Sequence, residues 1–209
     1  MNWYGFYDFE GDLETGYLHV DNHWEWENSW EVHTGVNFTE EGVKEPFEIV
    51  DGVTVPVGNY DHAESQLVFQ TNQGAPLAFY IQSRIGGFFG GDRVYLSPRV
   101  NYRIGERFST ELSWNHSDIE LPVANGDFQV DVAQLRMSYS FSPRMSLQTL
   151  VQYNNQADSI ATNVRFAWLQ SANAGLYLVY NEVDEMGFNL RDNGRQFIIK
   201  YSHIIDIFN

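Results

Sequence analysis

Apolar and polar residues alternate with period two through most of the chain, and clusters of Gly, Asn, Asp, Ser and Pro interrupt the alternation at intervals. Successive side chains of a strand point to opposite faces, so the pattern predicts strands with two unlike surfaces, and no stretch shows helical periodicity. Over 93–104 one face carries Val94, Leu96, Pro98, Val100, Tyr102 and Ile104, and the other Arg93, Tyr95, Ser97, Arg99, Asn101 and Arg103. Over 133–141, Leu135, Met137, Tyr139 and Phe141 oppose Gln134, Arg136, Ser138 and Ser140; over 160–168, Ile160, Val164, Phe166 and Trp168 oppose Ala161, Asn163 and Arg165. Twelve strands are predicted, at 2–9, 16–26, 29–40, 61–71, 77–88, 93–104, 108–117, 128–141, 145–154, 160–169, 176–182 and 195–206.

The connections differ by end. Those at 27–29, 72–76, 105–107, 142–144 and 171–175 are short, whereas 41–60, 118–127 and 183–194 are long; the turn at 86–92 and the loop at 155–159 depart from the second group. An even number of strands of about 9–11 residues, with short turns at one end and long loops at the other, is the pattern of a bacterial outer-membrane barrel. The expected fold class is therefore all-β: an antiparallel up-and-down transmembrane β-barrel of about twelve strands, or the C-terminal part of a larger one. It forms a single domain over 1–209, in the outer membrane of a Gram-negative cell. Short turns and both chain ends fall on the periplasmic side. Leu135, Met137, Tyr139, Met145, Leu147 and Val151 rest on outer-membrane lipid. Tyr139, Phe141, Trp26, Trp30 and Trp168 lie near the periplasmic interface, and Tyr153 and Trp114 toward the outer one. A soluble β-sandwich alternates too. Bulky Arg and Gln on one polar face after another, and aromatics that a sandwich would leave exposed, favour the barrel.

Composition sharpens the picture in three ways. Mean hydropathy is -0.37, and an apolar run such as Leu176–Tyr180 falls far short of the about 20 residues that a spanning helix needs, so any crossing is by strands. The formal charge of -16 is uneven. Residues 1–64 hold 15 acids against Lys44 alone, a net of -14, which leaves 13 acids and 11 bases, a net of -2, for the remaining 145 residues. Nucleic acid is excluded as a partner, since binding it requires a basic stripe. There is no cysteine, hence no disulfide framework or thiolate metal site, and no cofactor is expected. The opening MNWYGFYDFEGD has neither a basic nor an apolar leader region, so the expectation is a processed or truncated piece.

From about Glu45 the segments EPFEIVDGVTVPVGNYDH, GGFFGGDRVYLSPRVNYRIGERF, LPVANGDFQV, YSFSPRMSLQTLVQYNNQADSIATNVRFAWLQ, GLYLVYNEV and RQFIIKYSHI form a more specific pattern. The run resembles the C-terminal barrel of a family of outer-membrane proteins of unknown function, whose N-terminal module is similar to a family-9 carbohydrate-binding domain. The resemblance covers roughly three quarters of the chain. It implies a barrel larger than this chain, a missing N-terminal carbohydrate-binding module as partner, and a sugar-related role through that module; it brings no catalytic residues. The end departs from a typical barrel terminus, because Phe208 and Asn209 break the register of Phe197, Ile199, Tyr201 and Ile205.

Strand parity places a basic set inside the lumen, Arg84, Arg93, Arg99, Arg103, Arg136, Arg165 and Lys200. It also places there an acidic and histidine set: Asp8, His19, Asp21, His23, Glu25, Glu31, His33 and Glu64. Set apart, the two create a transverse field that filters polar and charged solutes; brought together, they neutralise one another in a plugged interior. A regular hairpin at 27–29 pairs His23 with His33 and Glu25 with Glu31. These are ligands suited to Zn(II), and equally groups that hydrogen-bond in a polar lumen. Asp8, Glu10, Asp12 and Glu14 form an acidic loop that lacks the central glycine of an EF-hand. Asn115-His116-Ser117-Asp118 invites a hydrolase reading, but His116 and Ser117 sit on opposite faces of a continuing strand. The expectation is a non-enzymatic pore for polar, carbohydrate-related solutes. Its rival is an anchor or display barrel for the carbohydrate-binding module, with loop 41–60 as contact surface. The glycines of 86–91 suggest a tight turn with positive backbone angles.

Overall fold

The structure, a computed structural model, describes residues 1–11, 13–171, 174–185 and 194–203. Its strands are β1 (Asn2–Tyr7), β2 (Leu13–Glu25), β3 (Glu31–Val43), β4 (Phe47–Val50), β5 (Val53–Val55), β6 (Gly58–Gln70) and β7 (Leu77–Phe88). They continue with β8 (Gly91–Ile104), β9 (Phe108–Glu120), β10 (Asp127–Ser142), β11 (Met145–Asn154), β12 (Ser159–Ser171), β13 (Ala174–Glu185) and β14 (Gly194–His203). Twelve of them make one sheet in the order β1-β2-β3-β6-β7-β8-β9-β10-β11-β12-β13-β14, while β4 and β5 pair with each other. This is the all-β, antiparallel, up-and-down meander that the alternation predicts, since a chain of hairpins needs only short turns between neighbours.

All twelve predicted strands are present, and their corrected ends have local causes. The third strand starts at Glu31, not at 29, because Ser29 adopts a φ of 62° and the turn closes through Ser29 N–H to Trp26 O (2.8 Å) and Trp26 N–H to Trp30 O (2.9 Å). At the short turn over 142–144, Ser142 Oγ accepts from Arg144 N–H at 3.3 Å, fixing the Pro143-Arg144 corner. The loop at 41–60 is corrected to the β4–β5 hairpin, flanked by continuing β3 and β6. The glycine-rich segment is no single turn. β7 runs through Gly86 and Gly87, and the corner is Phe89 (φ 45°) and Gly90 (φ 80°). The terminal register of Ile205, Phe208 and Asn209 lies outside the described residues.

Gly86 is needed for another reason. It pairs with Glu64 at a φ of 153°, and a Cβ there would stand 2.2 Å from the Ala63 carbonyl oxygen. Gly86→Ala is expected to cost about 1–3 kcal/mol in backbone strain, read as a lower denaturant midpoint in refolding titrations; an unchanged midpoint would show that the ladder yields freely.

The chain falls into two compact units, one of Met1–Gln73, Phe79–Pro98 and Asn115–Asp131, the other of Gly74–Ala78, Arg99–Trp114 and Val132–Asn209. In each, register keeps the two faces distinct. In the second unit the rows Tyr139–Leu147–Phe166–Leu178–Ile199 and Met137–Thr149–Val164–Tyr180–Phe197 share one face across five strands. Rows Ser138–Gln148–Arg165–Val179–Ile198 and Arg136–Leu150–Asn163–Asn181–Gln196 share the other. In the first unit Val20–Val36–Ser65–Ile85 and Leu18–Phe38–Ala63 lie on the apolar face.

Among the described residues the buried apolar side chains are few and mostly small: Val53, Val55, Val68, Ala78, Ile119, Leu121 and Ala174. Trp24, Trp26, Trp30, Trp114, Phe38, Leu67, Ile85, Tyr139, Phe141, Trp168 and Tyr201 stay exposed on the protein itself. Burying one such side chain is worth about 1.5–3 kcal/mol, so a water-soluble sandwich would not forgo it in strand after strand.

Candidate functional site

Direct pairing aligns four rows on the polar face of the first unit. They are His19–Asn37–Glu64–Gly86, Asp21–Gly35–Gln66–Arg84, His23–His33–Val68–Gln82 and Glu25–Glu31–Gln70–Tyr80. The first row is a buried polar network. Asn37 is 1 % exposed; its Oδ1 accepts from Tyr17 OH (2.7 Å) and meets His19 Nδ1 (2.5 Å), and its Nδ2 donates to Gln66 Oε1 at 3.2 Å. Glu64, 4 % exposed, takes two hydrogen bonds on Oε1 from Arg93, from Nε at 3.0 Å and Nη2 at 2.6 Å. The Arg93 guanidinium lies 4.1 Å from the centroid of the Phe88 ring. Two unlike charges are thus withdrawn from solvent with directed bonds and an aromatic floor, the setting in which an ion pair is strong. His62 Nδ1 and Arg84 Nε are buried polar atoms with no hydrogen-bond partner among the described residues, a cost that marks the region as more than packing.

The hairpin register expected from the sequence is present: His23 faces His33 and Glu25 faces Glu31. The two imidazoles stack with centroids 3.8 Å apart and planes 11° apart. Each is engaged by a carboxylate two residues back on its own strand, His23 Nε2 by Asp21 and His33 Nε2 by Glu31 at 3.0 Å. Gly35 leaves room for the neighbouring His19 ring, since a Cβ there would meet His19 Cε1 at 2.9 Å. Among the described residues no three metal-ligating side chains converge on one point. The geometry is that of paired imidazole–carboxylate hydrogen bonds.

The long-loop end of the same unit is covered by the hairpin. Val53 and Val55, 2 % and 1 % exposed, pack with Ile119 and Leu121, and Val43, Ile49, Val50, Tyr60, Phe88, Phe89, Val123 and Phe128 close around them. Tyr60, Phe88, Ile119 and Phe128 have the strand parity of the polar face, so the hairpin folds against that face. Tyr60 and Phe89 meet edge to face with centroids 5.4 Å apart, and Tyr60 OH donates to Pro56 O at 2.7 Å. The acidic loop preceding β2 meets a cation of the same chain: the half-exposed Lys44 pairs with Asp8 and lies 3.6 Å from Glu14. Asp12 lies outside the described residues.

The polar face of the second unit carries Arg99, Arg103, Arg136, Arg165 and Lys200. Asn163 Nδ2 donates to Asn181 Oδ1 (2.5 Å) and Asn181 Nδ2 to Gln196 Oε1 (3.4 Å), making a ladder across β12, β13 and β14. Arg165 lies over Tyr177 at 5.2 Å, Arg136 donates to Gln134 Oε1 at 3.2 Å, and Arg103 Nη2 reaches the carbonyls of Gly74 (2.6 Å) and Ala75 (3.2 Å). Arg103 therefore caps a short turn, a role that parity alone does not reveal.

On the apolar face charge collects at the long-loop end. His116 Nδ1 meets Asp131 Oδ1 at 2.8 Å, and Glu182 accepts from Tyr180 OH (2.9 Å) and from Arg195 Nε (2.5 Å). β9 continues to Glu120, so Ser117 stays on the face opposite His116, and the Asn115-His116-Ser117-Asp118 motif assembles no nucleophile with its base. Sequence reasoning missed Asp131 as the partner of His116, the Glu64–Arg93 pair, and the role of Asn37 as a hub; each depends on a contact between strands.

No protein-family model matches the sequence, and no curated protein does. Among solved structures it is similar to a KdgM porin, at 9% identity and a TM-score of 0.37, with 92% of each chain covered. It is also similar to a KdgM porin in complex with disordered oligogalacturonate, at 10% identity and a TM-score of 0.36, again over 92% of both chains. At such identity no residue-by-residue correspondence follows.

Proposed function

We propose that the chain is an outer-membrane pore of the porin kind, passing polar solutes along its polar face while its apolar face rests on lipid. The observation that carries this reading is the pairing of two complete and opposite surfaces in one meander. The apolar rows are partly to fully exposed on the protein itself, and the charged and amide rows lie on the reverse. Such a sheet is stable where hydrocarbon covers one side and water wets the other. The aromatic residues Trp26, Trp30, Phe141, Trp168 and Tyr201 at the short-turn end support an interfacial girdle there. Carbohydrate-related compounds enter the solute class through the sequence resemblance. For the rival display reading, Val53 and Val55 of the 41–60 segment are turned inward, which leaves the outward side with Glu45, Glu48, Asp51, Thr54 and Val57 as its contact surface.

The full chain, refolded into a planar bilayer, is expected to give discrete single-channel currents. Absence of current from protein whose strand content is intact by circular dichroism would overturn the pore.

A further inference from the structure

We infer that the β4–β5 hairpin is a fixed, inward-packed constriction that limits the size of the passing solute and favours cations and neutral polar molecules over anions. This rests on the pore reading above. Val53 and Val55 are, with Asn37, the largest fully buried side chains among the described residues, and they are held by Tyr60, Phe88, Ile119 and Phe128, all of polar-face parity. These partners stand at the long-loop ends of their strands, and in a pore the face they share is the lumenal wall, so the hairpin lies across the water path at that rim.

Two features make it fixed. Gly52 supplies the corner at a φ of 77°, closed by its N–H donating to Glu48 Oε1 at 2.6 Å, and the anchoring valines are apolar groups that gain nothing from release into water. The opposite side of the hairpin meets water with Glu45, Glu48, Asp51 and Thr54 exposed. Three carboxylates on the narrowing element, within a stretch of chain where Lys44 is the sole base, repel anions where the passage is tightest.

The hairpin can be removed without breaking the ladder, because Val43 and Gly58, on either side of it, are register partners. In the test variant residues 45–56 are replaced by Asn-Gly, a two-residue hairpin turn. A second variant, Val53→Asp with Val55→Asp, keeps the length but expels the hairpin by burying charge. Circular dichroism and heat-modifiable mobility in gels establish that each folds. Planar-bilayer conductance, reversal potential across a KCl gradient, and vesicle swelling with neutral mono-, di- and trisaccharides are then compared with wild type.

A severalfold rise in conductance, entry of a larger saccharide and loss of cation preference in both variants is the expected result. A silent wild type with conducting variants also upholds the constriction, as a complete plug, while overturning an open resting pore. A conducting wild type matched by both variants in current and selectivity overturns the constriction and leaves the pore standing. Silence in all three, with the fold intact, overturns both.

Discussion

Val164→Arg is expected to destabilise the protein in a bilayer by about 2–4 kcal/mol, the cost of a cationic side chain on the lipid face of a barrel near midplane. Val164 sits mid-strand in the row Met137–Thr149–Val164–Tyr180–Phe197, so an arginine there has a hydroxyl residue directly on either side, and the diagonal Glu182 is already held by Tyr180 and Arg195. Gln152→Arg, in the row Gln134–Gln152–Ala161–Val183 on the reverse face, is expected to stay within about 0.5 kcal/mol of wild type. Both are read from denaturant titrations of folding into vesicles. Equal costs would mean that the two faces meet the same solvent, and the membrane assignment would fall with them. A tolerated Val164→Arg paired with a costly Gln152→Arg would turn the sheet inside out.

That contrast depends on parity alone, and parity is what a sequence displays most openly. A period of two survives errors of a residue or two at strand ends, which is why 93–104 and 145–154 were legible from their alternation. The His23–His33 and Glu25–Glu31 pairs were legible too, because the 27–29 turn fixes the register of its own hairpin. The β4–β5 hairpin was within reach: Ile49-Val50-Asp51-Gly52-Val53 is an Asp-Gly corner between apolar residues, a strong hairpin signal. Its surroundings disguised it, since Pro46 and Pro56 bracket strands of only four and three residues. Which face it folds against lay beyond the sequence, because Ile119 and Leu121 approach it from more than sixty residues away. The same holds for Glu64 and Arg93, 29 residues apart on strands that are not neighbours in the sheet. Parity puts both inside, but whether they meet depends on side-chain reach across β7.

The Glu64–Arg93 pair gives the larger expected effect. Arg93→Met is expected to cost about 3–5 kcal/mol, because it leaves a buried carboxylate without its counter-charge. The side chains of Glu64 and Arg93 are 5% and 19% exposed, too little for water to replace the two guanidinium hydrogen bonds. Glu64→Gln added to Arg93→Met should recover most of the loss, since no charge is then stranded and the methionine still covers Phe88. A coupling near zero in this double-mutant cycle would show that water reaches the pair freely and that each charge acts on the lumen separately. If the recovery is seen, one carboxylate of the acidic set and one guanidinium of the basic set are already spent on each other. The field along the first unit's polar face is then left to the more exposed Glu25 and Glu31 and to the hairpin's own carboxylates. The charge preference of the passage would accordingly follow the hairpin and resist changes at residue 64.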